Sequence, residues 1–172
     1  EMIRLALVQR AKEARKKAYC PYSGFAVGAA LLCADGSVYD GCNIENAGFT
    51  ATCCAERTAF FRAVNDGKRD FKAIAIAGGR AGEEPTGICA PCGVCRQVMA
   101  EFCGPGFEIL LTDGHSLQVS TLEELLPMAF GMILANLPGS GIIHMQYFVG
   151  DGLEHPMWVE ILNNGGLADM LY

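Results

Sequence analysis

The chain has 172 residues, enough for one domain with a sizeable core, and 51% of them are hydrophobic against 19% charged. A net charge of -6 argues against a non-specific grip on nucleic acid, which needs a basic face to displace counterions. No apolar run is long enough to span a bilayer, no signal peptide opens the chain, and nine cysteines with Cys53 adjacent to Cys54 fit a disulfide framework poorly, so we expect reduced thiols, a cytoplasmic location and no membrane partner.

A helix is predicted over residues 3–18, where Ile3, Leu7, Ala11, Ala14 and Ala18 recur near helical spacing and Lys and Arg fall on other faces. Pro21 ends it. From about Phe25 the pattern alternates, with Phe25, Val27, Ala29 and Leu31 on one side of a strand. Asp35-Gly36 is a hairpin turn, and residues 38–42 return as a second strand. A second helix starts near Cys54, runs through Val64 and stops at Asn65-Asp66-Gly67. Residues 71–77 are largely apolar, as a strand buried on both faces requires. A loop rich in Gly, Glu and Pro covers residues 78–90, and Pro91 suits the first turn of a third helix that reaches about Phe102. Residues 107–112 form another strand, Asp113-Gly114 turns it, and Ser120 with Glu123 makes a capping box for a short helix ending before Pro127. Strand-helix-strand order implies an α/β fold, with a mixed or parallel sheet and helices on its faces.

Residues 131–172 differ in character. They contain no Lys or Arg, while Asp151, Glu154, Glu160 and Asp169 make the segment acidic. Leu137-Pro138-Gly139-Ser140-Gly141 reads as a linker, and residues 142–149 and 157–162 are strand-like around Gly150-Asp151-Gly152. The segment holds no catalytic motif. We expect residues 1–130 to form the catalytic domain and residues 131–172 an extension: a small hairpin, an oligomer contact or an appended piece.

Two fragments carry chemistry, Cys54-Ala55-Glu56 and Pro91-Cys92-Gly93-Val94-Cys95. Cys92 and Cys95 share one face of a first helical turn, and Cys54 starts another helix, so two helix N-termini can converge on one Zn²⁺ per chain. Three thiolates leave such a site with a net charge of about -1. Helix N-termini offset that charge, and Arg57 can help by donating to a cysteine sulfur. Glu56 is close to a ligand without being needed as one, which suits a carboxylate working on a metal-activated water. The pattern C-x-E followed by P-C-x-x-C resembles the signature of zinc nucleobase deaminases.

A closed structural site of four thiols is the alternative, with Cys89 extending the run to C-x₂-C-x₂-C and Cys53 or Cys54 completing the tetrahedron. A ferredoxin-type cluster fits less well, because Pro91 precedes Cys92 and Cys103 is too distant. The spacing to Glu56 selects Cys54 and leaves Cys53 as a buried thiol. Cys20, Cys33, Cys42 and Cys103 read as core residues, and His115, His144 and His155 as structural or exposed.

Five segments then occur in order: Tyr19 to Leu31 (YCPYSGFAVGAAL), Gly41 to Ala47 (GCNIENA), Cys54 to Ala59 (CAERTA), Pro91 to Val98 (PCGVCRQV) and Leu125 to Phe130 (LLPMAF). Together they resemble the small, homotetrameric, zinc-dependent cytidine deaminases over about residues 1–130. The resemblance implies a three-layer α/β/α fold with a central mixed sheet. It implies hydrolytic deamination of cytidine and 2′-deoxycytidine by zinc-activated hydroxide attack on C4, with Glu56 shuttling protons. It further implies that Asn43 and Glu45 bind the ribose 3′-hydroxyl, that Phe25 packs on the pyrimidine ring, and that the main chain near Ala55 touches the base edge. Ala47, Phe49 and Phe130 match positions that reach into a neighbouring subunit's site. Position 49 is commonly tyrosine in relatives, and Phe49 lacks that hydroxyl.

Three other readings compete. One is a deaminase of another aminopyrimidine nucleoside, such as an antibiotic, although Asn43-Ile44-Glu45-Asn46 favours an intact ribose. Another is a non-catalytic, zinc-stabilised interaction module. The third, a nucleic-acid-editing deaminase, is disfavoured by the acidic balance.

Overall fold

The computed structural model describes residues 1–130 and, beyond them, the backbone of two strands at residues 142–148 and 154–160. The chain divides into two units, Glu1–Pro127 and Met128–Tyr172. The first is built from α1 (Met2–Arg15), β1 (Phe25–Cys33), β2 (Val38–Cys42), α2 (Ala55–Asn65), β3 (Phe71–Arg80), α3 (Gly93–Phe102), β4 (Glu108–Thr112), β5 (Leu117–Thr121) and α4 (Leu122–Leu125), with a 3₁₀ turn at Phe49–Ala51. Its sheet has the order β2-β1-β3-β4-β5. Only β3 and β4 pair in parallel; the other three pairings are antiparallel, so the sheet is mixed.

Side chains of each strand alternate between two faces, and the two faces are filled differently. Ala29, Leu31, Ile74, Ile76, Ile109 and Leu111 are buried with Phe60 of α2 and Met99 of α3. On the other face Ala30, Ala73, Ala75, Ala77 and Leu110 meet Leu7 and Ala11 of α1. The result is the expected three-layer α/β/α arrangement. Four phenylalanines tie α2 to α3: Phe60 lies 5.0 Å from Phe71 and 6.0 Å from Phe102, ring centre to ring centre, and Phe107 completes the group.

Two glycines let helices settle directly on the sheet. A Cβ on Gly28 would fall 2.1 Å from the Ala11 carbonyl oxygen of α1. One on Gly41 would fall 2.2 Å from the Ala55 carbonyl oxygen and 2.5 Å from the Ala59 nitrogen of α2. Neither glycine has a positive φ, so close approach rather than backbone freedom explains both.

Several elements differ from expectation. The first helix ends at Arg15, and its continuation to Ala18 is a tightened turn whose amides reach carbonyls three residues back. Arg15 is not on a solvent face. It is 7% exposed and donates to the carbonyls of Ala26 at 3.0 Å, Glu83 at 2.6 Å and Arg80. The helix expected from Pro91 starts at Gly93, because Cys92 is its N-cap. The turn at Asp113 returns the chain as β5, a strand that Gln118-Val119-Ser120-Thr121, with its one apolar residue in solvent, does not advertise. Ser120 is buried inside β5, so the capping box falls one residue later, between Thr121 and Glu124. Of the four cysteines expected in the core, only Cys33 is fully buried; Cys20, Cys42 and Cys103 are half-buried.

In the second unit β6 (Ile142–Phe148) and β7 (Glu154–Glu160) pair as an antiparallel ladder from Ile142 opposite Glu160 to Phe148 opposite Glu154. The linker expected at residues 137–141 and the turn at 150–152 lie outside the described residues, as do the strand ends at 149 and 161–162. Among the described residues, no helix is long and apolar enough to cross a membrane.

Gly41→Ala places a methyl group against the α2 backbone, which cannot yield as a side chain would. We expect a loss of about 1–3 kcal/mol in urea unfolding. Gly87→Ala, where a Cβ meets nothing, is the control and should unfold close to wild type.

Candidate metal centre and active site

Cys54 and Cys92 are the N-cap residues of α2 and α3, both with extended backbone and no side-chain cap of their own. Cys95 sits in the first turn of α3 and is buried. The two helix N-termini therefore present unsatisfied N–H groups and positive dipole ends beside the three sulfurs. Cys54 Sγ is 3.9 Å from Cys92 Sγ, and Cys92 Sγ is 3.5 Å from Cys95 Sγ. Tetrahedral zinc at its usual bond length to sulfur of about 2.3 Å would place sulfurs about 3.8 Å apart. The three ligand atoms lie within 4.8 Å of one another, so the cage already has nearly the size of the ion.

Among the described residues, this is the one group of thiols, carboxylates or histidines placed to hold a metal, and neither Cys53 nor Cys89 belongs to it. Cys53 Sγ accepts from the Thr58 hydroxyl at 3.6 Å and contacts the Cys54 carbonyl at 3.7 Å. Three protein ligands, with Cys92 exposed, leave a tetrahedral ion one open position. A closed four-thiol site does not fit this arrangement.

The charge of the cluster is managed locally. Arg57 donates to the Thr52 carbonyl at 2.8 Å and to Cys54 Sγ at 3.7 Å. Its Nε is buried with no hydrogen-bond partner, so one donor of this guanidinium remains unused. The Cys95 thiol, with help from Arg57 and Cys92 and against the effect of burial, holds Cys54 down at about 5. The same bond to Cys54 and its burial push Cys95 up.

Glu56 lies in the first turn of α2 and is only 5% exposed. Burial, with the Cys54 charge adding to it, raises its carboxyl to about 7. A carboxyl poised there can both take and return a proton near neutral pH.

Ala55 is fully buried as the first residue of α2. Phe25 begins β1 and is 43% exposed. Asn43, just past β2, ties its side chain to β1, accepting from the Val27 amide at 2.8 Å and donating to the Phe25 carbonyl at 2.9 Å. Glu45 accepts from the Tyr22 amide at 2.9 Å, the Ser23 amide at 3.2 Å and the Ser23 hydroxyl, which together lower its pKa. Ala47 and Phe49 stand out in solvent, Phe49 at 90% exposure. Phe130 is about half exposed and belongs to the second unit.

Three contributors have no signal in the sequence. Ser23 anchors Glu45, the Thr52 carbonyl anchors Arg57, and Cys89 and Phe25 share the space above Gly78. Burial, helped by the charges of Glu56 and Cys54, pushes the Cys89 thiol up to about 11, so it lies near the cluster without joining it.

Residues 3–107 match the family model described as the cytidine and deoxycytidylate deaminase zinc-binding region. A cytidine deaminase of Sporosarcina psychrophila is 50% identical over 125 residues, 72% of this chain and 88% of that protein. One from Halalkalibacterium halodurans is 49% identical over 130 residues, 75% of this chain and 95% of that protein. The crystal structure of cytidine deaminase from Burkholderia pseudomallei superposes with a TM-score of 0.68 at 49% identity, over 73% of this chain and 98% of that one.

Glu56 makes stability pH-dependent in protein stripped of metal. Its carboxyl rises from 4.5 to about 7 on folding, so the neutral form is favoured and stability falls as pH climbs through that window. Glu56→Gln removes the titration. Cys54, lowered on folding, works the other way in both proteins, so the measurable sign is relative: from pH 5 to pH 8 the urea midpoint of the variant should gain on that of the wild type.

Proposed function

We infer that this chain, which belongs to the family of the cytidine and deoxycytidylate deaminase zinc-binding region, is a zinc-dependent cytidine deaminase. It hydrolyses cytidine and 2′-deoxycytidine to uridine and 2′-deoxyuridine with release of ammonia, as in pyrimidine salvage. The observation that carries this reading is a cage of three sulfurs with one open position beside a buried carboxyl poised near neutrality.

Cys54, Cys92 and Cys95 would hold the zinc. Zinc, when bound, supplies an acidic water at neutral pH. Glu56 accepts the proton of that water and delivers it to N3 of the pyrimidine. It passes a second proton to the amino group at C4, which leaves as ammonia. Arg57 holds the Cys54 thiolate in place and tempers its charge.

Phe25 offers an exposed ring for the pyrimidine, and the main chain at Ala55 meets the base edge. Asn43 and Glu45 take the ribose 3′-hydroxyl. The Asn43 amide keeps a second hydrogen and Glu45 keeps acceptor lone pairs beyond the bonds each already makes. Their existing bonds fix both groups before a sugar arrives, which lowers the ordering cost of binding.

Residues 1–130 form the catalytic domain and residues 131–172 an added extension. Ala47, Phe49 and Phe130 complete a neighbour's site in a homotetramer. That reading is supported by the exposure of Tyr19, Tyr22, Ile44, Phe49 and Ile88 on loops that carry or flank site residues, and of Val94 in the first turn of α3. Nine free cysteines favour a reducing, cytoplasmic setting.

Loss of ultraviolet absorbance on incubating cytidine with zinc-loaded protein tests the reaction. Glu56→Gln should keep its zinc and lose about 10²–10⁴-fold in kcat. A variant close to the wild-type rate removes Glu56 from the proton shuttle. Asn43→Ala should raise KM for cytidine about tenfold more than KM for free cytosine. Equal effects on both discard the ribose assignment.

A further inference from the structure

β1 and β3 pair with Val27 opposite Gly78 and Phe25 opposite Arg80, so Phe25, Val27 and Gly78 share one face of the sheet. Val27 packs on the cluster beneath α2 and α3, which places that face on the side of the sulfurs. Gly78 is bare there. A Cβ built on it would lie 2.7 Å from both Cβ and Sγ of Cys89 and 3.1 Å from Cε1 of Phe25. Its φ is not positive, so nothing in its backbone demands glycine. The absence of a side chain serves close approach: Cys89 and the edge of the Phe25 ring both occupy the space that a side chain on Gly78 would fill.

Resting on the deaminase reading above, we propose that Cys89 and Gly78 are positioning residues that set the depth of the Phe25 ring and so the width of the slot for the pyrimidine. Cys89 lies three residues before Cys92, on the segment that delivers the sulfurs. The ring that receives the base is thereby registered against the sulfurs by one short stretch of chain. Phe25 remains 43% exposed, which leaves part of its ring for a flat ligand. A branched residue at 89 would push the ring outward and narrow the slot. A smaller one lets it retreat, admitting pyrimidines that carry an extra methyl group on the ring.

The test compares zinc-loaded wild type, Cys89→Ala, Gly78→Ala and the double variant Gly78→Ala with Cys89→Gly on cytidine and its ring-methylated analogue, 5-methylcytidine. Gly78→Ala should raise KM for cytidine about tenfold with kcat changed less than about threefold, and the double variant should recover most of that loss. Cys89→Ala, which only removes an atom, should shift the ratio of specificity constants toward the methylated nucleoside and away from cytidine by about threefold or more. All variants should bind one zinc per chain. An active wild type whose KM is unmoved by Gly78→Ala, or a KM loss that Cys89→Gly does not relieve, overturns the positioning role alone. If Gly78→Ala does not fold, an unchanged substrate ratio in Cys89→Ala overturns it. A wild type inactive on every aminopyrimidine nucleoside overturns the deaminase reading as well.

Discussion

Everything at the centre of this molecule answers to one electrostatic problem: three sulfurs and a carboxyl crowd into a small, partly dry space. Burial penalises charge, and neighbouring anions penalise it again. The chain meets this with backbone rather than with a matching number of cations. Two helices begin at the cluster, and the residues that cap them supply two of its three sulfurs. One guanidinium is set against the most anionic sulfur, with its Nε held in reserve. The residual penalty falls on Glu56, where a raised pKa is useful.

The sheet makes that convergence possible. α2 enters directly from the loop after β2, and Gly41 lets its first turn lie against the strand backbone. α3 enters after the long loop that follows β3. Arg15 fastens the root of that loop from the opposite layer, through the carbonyls of Arg80 at the end of β3 and Glu83 in the loop, while its third bond holds Ala26 of β1. A buried Arg normally needs a carboxylate. Here carbonyl oxygens from the start of β1 and from the loop replace it, so the charge is solvated by the segments it must hold together. The helix on the far face of the sheet thus helps shape the loop that reaches Cys92.

The layers and most elements were legible because hydrophobic period and turn chemistry are local properties. Residues 71–77 could hardly be anything but a buried strand, and Asp35-Gly36 marks the hairpin of β1 and β2 without help from the rest of the chain. Glu56 and the three metal thiols were legible because their spacing is itself the geometry, two helix starts with a carboxylate in the first turn. β5 escaped because its buried Ser120 and exposed Val119 invert the usual pattern for an edge strand. Arg15 escaped because a charge on a helix face looks the same in sequence whether it meets water or carbonyls. Cys89 escaped for a different reason: its place depends on the missing side chain of Gly78, eleven residues away in the chain and adjacent only in space.

The order of strands also says when the sulfurs can meet. β1 and β2 are joined by a tight turn and can pair early, with α2 docking on the hairpin soon after. Cys92 comes 38 residues after Cys54, and β3 lies between them in the chain. β3 must find β1 across a long intervening stretch before α3 can swing beside α2. The three sulfurs are therefore brought together by the long-range pairing of the sheet and not by local structure. The cage is thus a product of the whole fold: any change that loosens the sheet between β1 and β3 is felt at three sulfurs that lie in none of its strands.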